Sequence, residues 1–432
     1  MAKKVAATTI GCKVNAYDTQ AVLQTFIEKG YVAVDFEDTA DVYIINTCSV
    51  TNLAEKKSRQ MIRRAKNRVN GAIVAAMGCA SQMSPHKFAE IGVDIVVGTN
   101  NRDLILQHIE NHTNNMPLAS SAEDVIAESN FGNAKVLQHG EKTRAILKIQ
   151  DGCNNFCSFC IIPHARGLSR SRPFEDVINQ ARIFANNGYK EIVVSGIHVA
   201  SYGKDLYDNV DITDVLAEIC KIPDIKRIRL SSVEPNAVTE KFLEFIKKTP
   251  KFCRHLHLSL QSGSDDVLKL MRRKYSTDEY AASVEKLRKI APDISITTDI
   301  IAGFPNETDA NHMQTLSFLK NLKLASLHVF PYSAKEGTKA AEMKQTDGNV
   351  KKKRAAELVL LGKKMQACYQ AGFLGKTTAV LVEEQNAAGF FEGKTSNYLT
   401  VVFEAAEDCV NKIVNVKLEA QNDGLIFGIA EI

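Results

Sequence analysis

Short runs of consecutive apolar residues recur along this chain, with helically spaced segments between them. The runs Val5–Ile10, Val42–Asn46, Ala72–Met77 and Ile95–Val97 alternate with the helical patterns Asp18–Lys29 and Asn52–Arg68. Strands apolar on both faces and joined by helices predict an open parallel α/β sheet, assigned to residues 1–112. Residues 113–140 lose the alternation, are rich in Asn, Ser and Ala, and read as a linker. A second alternation fills 141–366, with strands expected at Ala145–Ile149, Glu191–Ser195, Arg227–Ser231, Leu256–Leu260, Ser295–Ile300 and Ser326–Phe330. Six strand–helix repeats predict a partial (β/α)6 barrel, closed by the basic helix Val350–Gln370. Residues 367–432 change style again. Short strands at Thr377–Glu383, Tyr398–Phe403, Ile413–Glu419 and Leu425–Ala430, with Gly, Asn and acidic turns between them, predict a small β-barrel.

Ten cysteines among 432 residues need a chemical explanation. No secretory leader pattern precedes them and no apolar run is long enough to cross a membrane, so a cytoplasmic protein is expected. A disulfide framework does not suit that setting. Cys153, Cys157 and Cys160 are spaced C-x3-C-x2-C on one loop, directly after the first strand of the second alternation. Loops after barrel strands build active sites. Three thiolates on one loop can hold three irons of a four-iron cube and leave the fourth without a protein ligand. A structural zinc site with His164 as fourth ligand, or three buried thiols, are the alternatives.

Cys12, Cys48 and Cys79 are far apart in sequence, but each sits just beyond an apolar strand: TTIGC, IINTC and AAMGC. In an open parallel sheet the strand carboxyl ends share one edge, where ligands bind, so three thiols would converge there. Either they form a second three-cysteine cluster or they are three separate buried cysteines. Cys220, Cys253, Cys368 and Cys409 have no partner at metal-ligand spacing and read as small buried hydrophobes.

DGCNNFCSFC at 151–160 resembles the radical S-adenosylmethionine (SAM) superfamily. There the motif holds a [4Fe–4S] cluster whose open iron chelates SAM, and reduction yields a 5′-deoxyadenosyl radical. Phe159 matches the aromatic that would pack by the adenine. The wider arrangement resembles the methylthiotransferases: an N-terminal domain with three cysteines, a radical SAM domain and a C-terminal TRAM domain. GCKVNAYDT at 11–19, NTCSVTNLAEKKSRQMIR at 46–63, LSLQSGSDDVLKLMRRKY at 258–275, IIAGFPNET at 300–308 and HVFPYSAKEGTKA at 328–340 carry the likeness. GCKVN, DGCNNFC and RIRLSSVEP at 227–235 look most like the group that modifies threonylcarbamoyladenosine at position 37 of tRNA. Isopentenyladenosine at the same position, or an aspartate of a small-subunit ribosomal protein, are the related substrates. A non-enzymatic iron–sulfur electron carrier or redox sensor is the alternative from another class.

The resemblance implies two [4Fe–4S] clusters facing one cavity: an auxiliary one at Cys12, Cys48 and Cys79, and the SAM-binding one at Cys153, Cys157 and Cys160. It also implies an electron donor and a sulfur source. A radical cofactor suits the unactivated C–H at carbon 2 of an adenine, while the protein orients the partners. Polar residues beyond barrel strands should line the mouth: Ser195, Ser231, Glu234, Gln261, Ser262, Tyr332 and Ser333. The family points to Glu234 and Gln261 as SAM contacts. Asp299 reads as a mouth residue or as one inside the barrel.

The formal charge is only +4, yet it is unevenly spread. Residues 368–432 hold nine acidic residues against four Lys, and the rest of the chain is correspondingly basic. An acidic barrel suits phosphate poorly, although Lys376, Lys394 and Tyr398 could form a local RNA face. Better candidates for the tRNA phosphates are Arg166, Arg170 and Arg172, just after the cysteine loop, and the basic helix carrying Arg63 and Arg64. Arg272, Arg273 and Lys274 form a third basic cluster.

Overall fold

A computed structural model describes residues 2–100, 102–113, 120–121, 125–126, 131–132, 136–138 and 143–431. The N-terminal unit is a parallel sheet of β1 (Lys4–Thr9), β2 (Val32–Val34), β3 (Val42–Thr47), β4 (Ile73–Gly78), β5 (Ile95–Val97) and β6 (Ser120–Ser121), in the order β2-β1-β3-β4-β5-β6. Every residue of β3 is buried, as a central strand covered on both faces requires. Val5, Ile44, Ala75 and Met77 pack with Phe26 on one face, and Ala6, Tyr43, Ile45, Val74 and Ala76 with Ile62 on the other. Most of the expected linker lies outside the described residues. Its Ser120–Ser121 backbone pairs with β5, so that part of it extends the sheet. Two residues are too short for an apolar pattern to announce a strand.

The second unit contains β7 (Arg144–Lys148), a short antiparallel pair β8 (Gln150–Asp151) and β9 (Arg170–Ser171), then β10 (Glu191–Ser195), β11 (Arg227–Leu230), β12 (His255–His257), β13 (Ser295–Ala302) and β14 (Ser326–Pro331). Parallel pairing runs β7-β10-β11 and β12-β13-β14, and the bridges Ile228 to Phe252 and Val233 to Leu258 join the two triplets. All six expected barrel strands are present. Leu147, Ile192, Val194, Leu256, Leu258, Ile296 and Ile300 share one core with residues of the surrounding helices. Their alternating neighbours, among them Glu191, Arg229, His255, His257, Thr297 and Asp299, therefore face the barrel lumen.

Helix Gly348–Ala371 leads into a closed barrel of β15 (Thr377–Gln385), β16 (Phe391–Thr395), β17 (Thr400–Glu404), β18 (Ile413–Asn422) and β19 (Leu425–Ala430), ordered β15-β16-β17-β19-β18. β16, with sequence FEGKT, alternates buried and half-buried positions with little apolar character, so no strand was expected there. Tyr398 is not the first residue of a strand but a turn residue at φ +67°. Its ring lies 4.5 Å beneath the Arg229 guanidinium and 4.7 Å from the His255 ring. Arg229 also donates to the carbonyls of Thr395 and Ser396, and Arg227 to those of Lys394 and Ala379. The turn thus plugs the N-terminal end of the larger barrel, and Tyr398 is occupied there rather than free to stack on a base.

Candidate functional site

The Cys153–Cys160 loop leaves β8 through Gly152 at φ +68°, where a Cβ would lie 1.9 Å from the Leu168 carbonyl oxygen. Only glycine allows these backbones to pass so closely. The Cys153 amide donates to the Gly167 carbonyl, and the Ser158 amide and hydroxyl donate to the carbonyls of Met271 and Leu270. Both anchors lie in the barrel unit, so the three half-buried thiols are held at its mouth. Burial pushes the Cys153 thiol up to about 11 and the Cys160 thiol up to about 12. A metal that displaces the proton relieves that penalty.

Arg273 donates from Nη1 to Cys157 Sγ at 3.2 Å, from Nη2 to Glu234 Oε1 at 2.7 Å and from Nε to the Tyr275 hydroxyl at 2.9 Å. Asn155 Nδ2 donates to the same Glu234 oxygen at 3.0 Å, and His198 Nε2 lies 3.4 Å from the other. Burial raises the Glu234 pKa, but His198 and Arg273 outweigh it and hold the carboxyl below its usual range. Glu234 therefore meets the cysteine loop as an anion already held by Arg273, Asn155 and His198. Arg273 is consequently no free phosphate ligand. Gln261 has φ +75°; its amide donates to the Asp299 carbonyl and its carbonyl accepts from the Ile301 amide. The Phe159 ring meets Phe304 edge-on at 6.2 Å, beside a small core of Met271, Phe304 and Tyr332.

At the N-terminal sheet the strand order reverses between β1 and β3, the place where open α/β sheets bind ligands. Cys12 follows β1, Cys48 follows β3 and Cys79 follows β4. A Cβ on Gly11 would lie 3.1 Å from Cys48 Sγ, so the loop bearing Cys12 crosses directly over Cys48. Asn15 organises the rim. Its Oδ1 lies 3.8 Å from Cys12 Sγ and 4.0 Å from Cys79 Sγ, and its Nδ2 donates to the carbonyls of Ile10 and Thr47. Burial pushes the Cys48 thiol up to about 11 and raises Cys79 as well.

Arg166 joins the two thiol groups. It comes from the short helix after the cysteine loop, yet its Nε donates to Cys79 Sγ at 3.2 Å and its Nη2 to Asn15 Oδ1 at 2.6 Å. Nη2 also binds Asp18 at 3.0 Å, and Nη1 binds Asp151 at 2.9 Å. Lys148 reaches both carboxylates, and Arg102 and Arg170 complete a knot of two acids and four bases. Burial raises the pKa of each acid, but the surrounding cations prevail and keep both ionised. These contacts lock the N-terminal sheet to the barrel.

That knot corrects the assignment of Arg166, Arg170 and Arg172 to RNA. All three are buried, and Arg172 donates to the Tyr17 hydroxyl at 2.8 Å. Arg166 and Arg170 spend their charge on internal carboxylates, and Arg172 on the Tyr17 hydroxyl and the Gln180 side-chain oxygen, roles that clustering in sequence does not distinguish from phosphate binding. Arg63 and Arg64 are exposed; Arg64 pairs with Glu37, and Arg63 lines a groove of about 540 Å³ with Lys56, Arg59 and Gln60. Sequence reasoning passed over Asn15, Asp18, Lys148, Asp151, Asn155 and His198. The signal available was that Asn15, Asp151 and Asn155 lie within three residues of a cysteine, Lys148 ends the strand before the cysteine loop and His198 follows the end of β10.

Neither thiol triad brings its three sulfurs within 4.8 Å of one another; among the described residues only His257, Asp299 and His328 form a group that tight. A single tetrahedral zinc would hold cysteine sulfurs about 3.8 Å apart. Neither triad is gathered that closely, and His164 is exposed, its ring edge-on to Phe156 at 6.2 Å.

Residues 4–98 match the family described as Uncharacterized protein family UPF0004, residues 147–319 the Radical SAM superfamily and residues 373–430 the TRAM domain. The threonylcarbamoyladenosine tRNA methylthiotransferase MtaB of Bacillus subtilis is 44% identical over 96% of this chain and 93% of its own length. The tRNA-2-methylthio-N(6)-dimethylallyladenosine synthase of Acetivibrio thermocellus is 34% identical over 95% of this chain and 87% of its own. Among solved structures, the radical S-adenosylmethionine methyltransferase TsrM from Kitasatospora setae shares the fold at a TM-score of 0.57 and 14% identity, covering 79% of this chain and 77% of that one. Three matched domains in this order, and relatives that align end to end, leave one conclusion: the chain belongs to the radical SAM methylthiotransferase family.

Proposed function

We propose that this enzyme adds a methylthio group to carbon 2 of N(6)-threonylcarbamoyladenosine at position 37 of tRNA. The observation that carries this reading is the Arg166 knot. It ties the domain that bears the auxiliary thiols to the domain that bears the SAM-loop thiols. Relatives named for threonylcarbamoyladenosine are 36–44% identical to this chain, against 32–35% for those named for dimethylallyladenosine.

Cys153, Cys157 and Cys160 would hold a [4Fe–4S] cluster that, with SAM bound, would supply radical chemistry. Cys12, Cys48 and Cys79 would hold a second [4Fe–4S] cluster, the source of the methylthio sulfur. The protein's own contribution is placement and charge. Arg273 and Arg166 each put a guanidinium beside one sulfur of a triad. Glu234 fixes Arg273 and, with Gln261 and Phe159, stands at the barrel mouth as a contact for SAM. Arg63, with Lys56 and Arg59, offers the exposed basic groove for tRNA phosphates. Among the described residues no helix is long and apolar enough to cross a membrane. A tRNA substrate supports a cytoplasmic enzyme.

Mass spectrometry of tRNA nucleosides with and without the gene tests the substrate. Loss of the methylthio form of threonylcarbamoyladenosine is expected. Loss of the dimethylallyl form alone, or of a methylthio-aspartate in a ribosomal protein, would reassign it. Failure of the reduced, SAM-treated holoenzyme to release 5′-deoxyadenosine would leave an electron carrier or redox sensor.

A further inference from the structure

His257, Asp299 and His328 stand on three adjacent strands, β12, β13 and β14, with Asp299 paired to His328 and His257 to Thr297. Leu256, Leu258, Ile296 and Ile300 belong to the core under the helices, so the alternating set faces the lumen. The two imidazole rings stack at 5.1 Å and 23°. His257 Nε2 lies 3.2 Å from one Asp299 oxygen, and His328 Nδ1 lies 3.3 Å from the other. The three ligand atoms are all within 4.8 Å of one another.

His257 is only 8% exposed, and its Nε2, though 3.2 Å from the carboxylate, makes no hydrogen bond of acceptable geometry. Its other nitrogen, Nδ1, is engaged with the Thr297 hydroxyl at 2.9 Å, which in turn is 3.3 Å from His255 Nε2. Metal-binding histidines characteristically donate from the second ring nitrogen in this way, and with Nδ1 as the donor to Thr297 the Nε2 lone pair faces the carboxylate. A lone pair facing a carboxylate calls for a cation between them. Two imidazoles and one carboxylate, with further positions open, are the donor set of catalytic zinc and related divalent ions. Asp299 and His328 retain exposure to the lumen, so the open positions face it.

We propose that His257, Asp299 and His328 bind one divalent transition-metal ion in the barrel lumen, separate from both thiol triads. The open coordination positions would take an oxygen donor from a group that enters the lumen. This site draws no ligand from the cysteines and does not depend on which nucleoside is the substrate.

The test uses full-length holoenzyme with its iron–sulfur clusters loaded, so that the cysteines are already occupied. It is incubated with zinc chloride, gel-filtered and analysed for zinc and iron by plasma mass spectrometry. About one zinc per chain is expected, falling at least tenfold in Asp299→Asn and His328→Ala with iron unchanged. Asp299→Asn keeps the side-chain shape, and His328→Ala removes a half-exposed residue, so both variants should fold; circular dichroism checks this. Holoenzyme that carries no zinc, or zinc uptake that is the same in wild type and both variants, would overturn the proposal. A proton shared between His257 and Asp299 would then be sufficient.

Discussion

The thiols of Cys153, Cys157 and Cys160 hang on one short loop, whereas those of Cys12, Cys48 and Cys79 follow three separate strands. The loop triad is stapled within its own unit, by backbone bonds to Gly167 and Met271 and by Arg273 from the same barrel. The rim triad depends on the sheet's switch point and on Arg166, a side chain borrowed from the neighbouring unit. One triad is therefore a local motif, and the other a product of sheet topology buttressed by a side chain from the neighbouring unit. Damage to the interface should reach the rim triad first and the loop triad last.

The largest effects come from the thiols themselves. Cys157→Ala is expected to abolish both 5′-deoxyadenosine release and methylthio product. Cys48→Ala should abolish product while SAM cleavage continues, and each variant should lose about half the iron of the loaded enzyme. If Cys48→Ala also lost SAM cleavage, the two triads would not be separable and the comparison would fail.

Arg166 is the residue that makes the comparison unequal. Removing one member of a buried, fully paired charge network costs about 3–5 kcal/mol, because the partners stay behind unpaired. Lys148, Arg102 and Arg170 still reach Asp18 and Asp151, so Arg166→Met should lie near the lower end, about 3 kcal/mol, read from urea unfolding of the full chain. Iron at the rim should fall while iron on the loop remains. Arg166→Lys keeps a charge but loses the forked contact to Cys79, Asn15 and the two acids, and should restore only part of both.

The same division explains what could be read from sequence. C-x3-C-x2-C is visible because all its geometry lies within one loop. The rim triad needed the inference that apolar runs ending in TTIGC, IINTC and AAMGC are neighbouring strands, and the sheet order bears that out. The six barrel strands were legible from their apolar runs, while β16 and Ser120–Ser121 were not, being polar or too short. Arg166, Arg170 and Arg172 misled because a cluster of arginines looks alike whether it meets phosphate or buried carboxylates. The Arg166 partner Asp18 and the Arg172 partner Tyr17 lie well over a hundred residues away, and no local pattern announces such a pairing.

A smaller effect is expected at the far end of the barrel. Tyr398→Ala removes the ring held among Arg144, Arg229 and His255 and should loosen the C-terminal barrel by about 2–3 kcal/mol. Hydrogen exchange should rise in 394–398 and in β11. Iron content at both triads should stay at the wild-type level, because the plug enters from the end opposite the cysteine loop. Iron loss from either triad would mean that the lumen transmits strain along its length.

The smallest change in stability, and the sharpest test of where RNA meets the enzyme, concerns the two basic segments. Those arginines that follow the loop triad are buried, while the helix that follows Cys48 exposes Lys56, Lys57 and Arg63. The proposed phosphate contact therefore moves from the loop side to the rim side. Replacing Lys56, Arg59 and Arg63 together with Ala removes three counterion-releasing contacts. On a folded tRNA the slope of log affinity against log salt should become shallower by about 2–3, with roughly tenfold weaker binding near physiological salt. Thermal stability should change by less than about 1 kcal/mol, since the groove side chains sit at the surface. SAM cleavage without tRNA should be untouched. An unchanged salt slope would mean that the groove beside the rim triad carries no phosphate, and that the tRNA approaches by another face.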